Sequence, residues 1–163
     1  MENNEKGMYA LAAVRILIGW IILWGFVDKL FGLGFQTPAD SGIIDGESPS
    51  SFLPYVTGGA FKGLFDSIAG NFFADVLLMA ALLILGVCCM LGIASKLTTV
   101  FTVAFMVAMY LLHVPPLDNP LVDYHLILAA AVPAIYWLGG FGILSLEEKW
   151  RETPLVKRFP ILG

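Results

Sequence analysis

Four stretches of this chain are each about as long as a bilayer is thick and almost free of charge, which limits the possible folds severely. A hydrocarbon core of about 30 Å takes roughly 20 apolar residues in a helix, and residues 8–31, 72–94, 97–114 and 121–144 approach that requirement. In lipid the backbone must satisfy its own hydrogen bonds, and a helix does so within one segment. The chain is 58% hydrophobic and 13% charged, about half the charge of a soluble domain. Too little charge remains for a water-facing shell. The expectation is an all-α fold, an integral membrane four-helix bundle forming one domain over residues 1–163, with membrane lipids as its first partner. A net charge of −4 without a basic stripe argues against nucleic acid.

Lysine and arginine placement gives the orientation. The tail 145–163 carries Lys149, Arg151, Lys157 and Arg158, and an even number of spans puts Lys6 and Lys96 on the same side. Lys29 and Lys62 fall on the other. The chain therefore reads as a multi-pass cell-membrane protein with both termini cytoplasmic. The first run holds Arg15, continues to Phe31 and is followed by no small-x-small cleavage site, so it reads as a retained span. The outer connection 32–71 is too long for a bare hairpin loop. Within it Phe61, Leu64, Phe65 and Ile68 follow the i, i+3, i+4, i+7 spacing of a short amphipathic helix, lying at the interface or packed as a lid. Ser95-Lys96 makes a tight hairpin of the middle spans, Pro115-Pro116 ends the third and Pro133 interrupts the fourth. Gly86, Ala104, Ala108 and Ala129–Ala131 allow close helix approach. Cys88 and Cys89, adjacent in an apolar run, read as small apolar filler.

An ionisable side chain in a span costs about 2.5–3.5 kcal/mol on insertion scales, so the distribution of such groups is informative. Asp28 and Lys29 lie at the outer end of the first span, Asp75 at the outer start of the second, and His113 at the outer end of the third. Asp118, Asn119, Asp123 and His125 occupy the turn and the outer start of the fourth. A closed bundle brings these groups to one level near the outer surface. Histidine beside carboxylate exchanges protons near neutral pH. Each member also has a structural reading: snorkelling for Asp28 and Lys29, helix capping for Asp123, turn chemistry for Asp118-Asn119-Pro120. Arg15, on the cytoplasmic half of the first span, has no acid within a turn of it. Its partner is Glu147, Glu148 or lipid phosphate in a structural role, or a quinone headgroup in a functional one. The sequence indicates no haem, flavin or metal: both histidines sit near the outer rim, and there is no CxxC, HExxH or phosphate-binding glycine loop.

The first span and its exit, Gly19-Trp20 through Leu23-Trp24-Gly25-Phe26-Val27-Asp28-Lys29-Leu30-Phe31-Gly32-Leu33-Gly34-Phe35, resemble the signature of DoxX-family membrane proteins, closest to the DoxD type. So do Leu91-Gly92-Ile93 and Pro115-Pro116 followed by Asn119-Pro120-Leu121-Val122-Asp123-Tyr124-His125. The resemblance covers nearly the whole chain. It implies a four-helix membrane subunit of a thiosulfate:quinone oxidoreductase, with quinone as electron acceptor and a DoxA-like second subunit or other redox partner. Homo-oligomers are compatible with it. On this reading Lys29 holds an anion, His113 and His125 move protons, and Asp28 and Asp123 orient them. Trp24 and Phe26 flank the quinone ring, with Arg15 as a further headgroup contact. The outer side carries eight acids (Asp28, Asp40, Asp45, Glu47, Asp66, Asp75, Asp118 and Asp123) against Lys29 and Lys62. That field repels a dianion such as thiosulfate, so binding one requires a local lysine pocket. Two other functions fit the sequence: a non-catalytic membrane anchor or assembly subunit for a redox partner, and a small proton-coupled transporter.

Overall fold

The computed structural model describes residues 2–52, 61–116 and 119–163, and is helical with no strand among them. Four long helices dominate: α1 (Glu2–Phe31), α3 (Phe72–Leu91), α4 (Ser95–Leu112) and α5 (Tyr124–Trp137). A single turn, α2 (Lys62–Asp66), precedes α3, and two short helices, α6 (Glu147–Arg151) and α7 (Pro154–Arg158), form the C-terminal segment. α1 packs on α3, α3 on α4, α4 on α5, and α5 back on α1, which closes a ring.

α1, α3 and α4 are long and apolar enough to cross a membrane. Only about a third of the most apolar stretch of each is buried within the chain (33%, 28% and 33%). The remaining apolar surface, including Leu17 on α1, Phe73 and Leu77 on α3 and Phe101 on α4, is exposed. Water would penalise that surface heavily. The chain is thus a membrane protein whose helices contact lipid.

The core lies where small residues let helices meet. A Cβ at Gly19 would sit 2.6 Å from the Met90 backbone nitrogen, and one at Gly86 would sit 2.7 Å from that of Leu23. α1 and α3 therefore touch backbone to backbone, as close-packed membrane helices do. Around this contact Ile18, Ile22, Leu85, Cys89, Met106 and Val132 form the buried cluster. Both cysteines are free thiols, and Cys89 is fully buried, in keeping with the filler reading.

The fourth run departs from expectation. Beyond Asp123 and His125, residues 121–144 are uncharged and mainly apolar, yet only the 14 residues of α5 are helical, about 21 Å at 1.5 Å per residue. Gly139 adopts φ +84° and Gly140 follows it, so the chain turns away and folds back toward the α3–α4 connection, where Leu146 N donates to Leu91 O. Arg15 is the reason this fold-back is stable. Its guanidinium, fully buried, donates to the carbonyls of Gly140 (2.9 Å), Ile143 (3.3 Å) and Leu144 (2.6 Å) and lies over the Phe141 ring. Arg15 is thus a clamp on the backbone after α5, and is paired neither with Glu147 or Glu148 nor placed for a headgroup. Glu147 instead accepts from Ser95 N and Oγ at the start of α4 and pairs with Arg151.

Candidate functional site

The two ends of the ring differ. One carries both termini; the other carries the 32–71 connection and the turn between α4 and α5, and the candidate site lies there. It is a cavity of about 310 Å³ to which all four long helices contribute. α1 presents Ile21, Gly25 and Lys29, spaced four residues apart on one face. α3 contributes Leu78 and Leu82; α4 contributes Phe105, Met106, Met109 and His113. α5 contributes Tyr124, His125 and Leu128, and Gln36 and Phe52 close the cavity from the connection. The walls are mainly apolar, with Lys29, Gln36, His113, Tyr124 and His125 as the polar groups.

Lys29 is 6% exposed. Its ammonium lies over the Phe52 ring, 4.4 Å from the centroid, and among the described residues no carboxylate lies within ion-pair distance of it. A buried ammonium in an apolar cavity attracts a carbonyl or anionic oxygen. The neighbouring acid does not supply one. Asp28 is fully buried, outside the cavity lining, and accepts from Thr37 N (2.7 Å) and Phe35 N (3.3 Å). It staples the first turn of the connection to the end of α1.

The histidines are oriented by their other ring nitrogens. His125 Nδ1 lies 2.6 Å from Asp123 Oδ2, and His113 Nδ1 lies 2.8 Å from the Met109 carbonyl. Neither a carboxylate nor a carbonyl can donate, so each Nδ1 carries the hydrogen and each neutral ring keeps its Nε2 lone pair. The two rings stack with centroids 5.0 Å apart, and Tyr124 packs 3.8 Å from His125. Asp123 serves twice: its other oxygen accepts from Leu126 N, capping α5. The capping reading is met, and the same side chain also holds His125 Nδ1.

His113, Asp123 and His125 offer donor atoms that all lie within 4.8 Å of one another, close enough to share an ion. The Met109 carbonyl behind His113 also fixes that ring as the partners of metal-binding histidines do. This grouping is not legible in the sequence, because the spacing of His113 from the other two matches no ligand motif.

Trp24 and Phe26 do not line the cavity. Each lies one residue from Gly25, about 100° around the helix from the Ile21–Gly25–Lys29 face. Trp24 packs on Trp20 and edge-on to Phe35, while Phe26 packs against the core cluster. Neither flanks a ring in this cavity. Asp75 is likewise elsewhere, accepting from Ser48 Oγ and Ser50 N in the connection. Asp118 lies outside the described residues. Gln36 and Tyr124 escaped the sequence reading; Tyr124 was legible as the neighbour of His125, whereas Gln36 carried no signal. Comparison with family models, curated proteins and solved structures returned no match to the chain.

Proposed function

We propose that the chain is a four-helix membrane subunit of a quinone-linked oxidoreductase, with both termini cytoplasmic and the Lys29 cavity near the outer surface. The observation that carries the proposal is Lys29: a buried ammonium with no carboxylate at ion-pair distance among the described residues, in an apolar cavity that also holds two oriented histidines. A quinone needs this combination. Its ring is apolar, its two carbonyl oxygens accept hydrogen bonds, and its reduction consumes two electrons and two protons. Lys29 donates to one oxygen and stabilises the negative charge that builds there as electrons arrive, a preorganised electrostatic contact. His125, backed by Asp123, and His113, backed by the Met109 carbonyl, are each set to relay a proton through Nε2.

The electron donor rests on the DoxX-family resemblance. In that reaction two thiosulfate ions join through a new S–S bond to give tetrathionate and release two electrons, which balance one quinone reduced to quinol. The acids around the connection outnumber its lysines and so disfavour a free dianion near the cavity. That distribution suits a donor delivered by a partner subunit of the DoxA kind.

Replacing Lys29 by Ala, or by Met to keep its apolar length, lowers thiosulfate-dependent quinone reduction by about a hundredfold or more, measured on purified protein with any partner retained. Unchanged turnover in a folded Lys29 variant removes the lysine from the site and the proposal with it. A second reading, a membrane anchor for a cytoplasmic redox protein, draws on the exposed Lys149, Lys157 and Arg158 of the C-terminal segment. Co-purification of a stoichiometric partner, with no quinone binding to the chain itself, would favour that reading.

A further inference from the structure

We infer that the quinone this site takes is long-tailed, and that its tail runs through a second cavity between α3 and α4. This rests on the quinone reading of the Lys29 cavity. The second cavity has a volume of about 200 Å³ and shares four wall residues with the first: Phe52, Leu78, Phe105 and Met109. The two spaces therefore adjoin across one layer of side chains. Their chemistry differs sharply. The first holds the lysine and both histidines, whereas the second is lined by apolar side chains except for Ser50.

The second cavity exists because its walls are small where they would otherwise close. Ala74 and Ala81 on α3 face Ala108 on α4 across it, with Phe65 and Ile68 of the α2 segment forming its roof. This gives the amphipathic pattern read from the sequence a concrete role: half of that short segment covers an apolar slot. Leu77 also lines the slot while remaining 72% exposed, so the slot opens on the lipid-facing surface of α3. An amphiphile with a polar ring on Lys29 can thus lead an apolar chain past Met109 and Phe105 and out beside Leu77 into the bilayer. A tail-less ring leaves the slot empty, and a molecule with charge at its far end would meet no partner there.

The test measures binding of a polyprenyl benzoquinone and of the same ring without its tail, to native protein and to Ala81→Phe and Ala108→Phe variants. The milder Ala81→Leu and Ala108→Leu accompany them in case the larger substitutions disturb folding. A tail raises apparent affinity simply by concentrating the molecule in the membrane, but that effect is equal for native and variant protein. The informative quantity is the change in the tailed-to-tail-less ratio. Filling the slot is expected to lower the affinity for the tailed quinone about tenfold or more while leaving the tail-less ring unchanged. If both quinones bind native protein and the ratio is the same in every folded variant, the tail lies elsewhere, and the ring site stands without it. If neither quinone binds native protein, the quinone reading has failed and this inference falls with it.

Discussion

Asp123 shows how much one side chain in this chain is asked to do. One oxygen caps α5 through Leu126 N and the other holds His125 Nδ1–H. Asparagine separates the two tasks. It caps a helix about as well as aspartate, but its amide can present a donor to His125 and so favour the other tautomer, which puts the proton on Nε2. Asp123→Asn is therefore expected to keep the native melting temperature and lose about a hundredfold in quinone-reduction kcat, with quinone affinity little changed. A variant that melts normally and turns over at the native rate would show that His125 orientation is irrelevant to the reaction. The convergence of Lys29, His113, Asp123 and His125 at one end of the molecule was legible, because all four lie within a turn of the same ends of their helices. Which face each residue takes was harder to read. Trp24 looked like the natural wall for a ring, yet the periodicity that sends Lys29 inward through Ile21 and Gly25 turns Trp24 aside. Asp28, next to Lys29 in sequence, is drawn away by the loop amides it accepts from.

Among the elements, the short α5 and the segment that follows it depend on a residue 125 positions earlier. Arg15 donates to three carbonyls of the segment that follows the end of the helix at Trp137. Gly92, in the left-handed region at φ +65°, leaves room for it: a Cβ there would come within 2.5 Å of the guanidinium. Arg15→Met keeps the bulk and removes the donors, which costs about 3 kcal/mol and lowers Tm by roughly 5–10 °C. The KM for quinone should not move in the fraction that remains folded, because Arg15 lies among the residues following α5 and outside the cavity lining. A raised KM with an unchanged Tm would return Arg15 to the headgroup role and contradict the clamp. The sequence marked Arg15 as unusual but could not identify its partners, since they are backbone carbonyls and carry no side-chain signature. For the same reason the apolar pattern extended the fourth helix to residue 144. Hydropathy continues through Gly139-Gly140, whereas helical geometry does not.

For the molecule as a whole, the long helices and their closed ring follow from apolar runs, short connections and small residues at Gly19 and Gly86, all visible in the sequence. The two cavities follow from side-chain volumes at positions such as Ala81 and Ala108, which acquire meaning only when the helices face one another. Orientation is a further property at this scale. On the proposed orientation, argued from the basic tail, both termini are cytoplasmic, so in a chain lacking Cys88 and Cys89 a thiol at Ser48 is expected to react with an impermeant reagent added outside intact cells. A thiol at Leu155 is expected to react only after lysis. The reverse pattern would invert the topology. The proposed reaction requires one cavity, shared by α1, α4 and α5, to take a quinone ring. A ring-azido quinone photolysed with the protein in vesicles, with its adducts mapped by mass spectrometry, tests this directly. The expected result is labelling in all three stretches, around Gly25–Lys29, Met109–His113 and Tyr124–Leu128, abolished by excess unmodified quinone. Adducts confined to a single stretch, clustered at Trp24 and Phe35, or insensitive to competitor would contradict it.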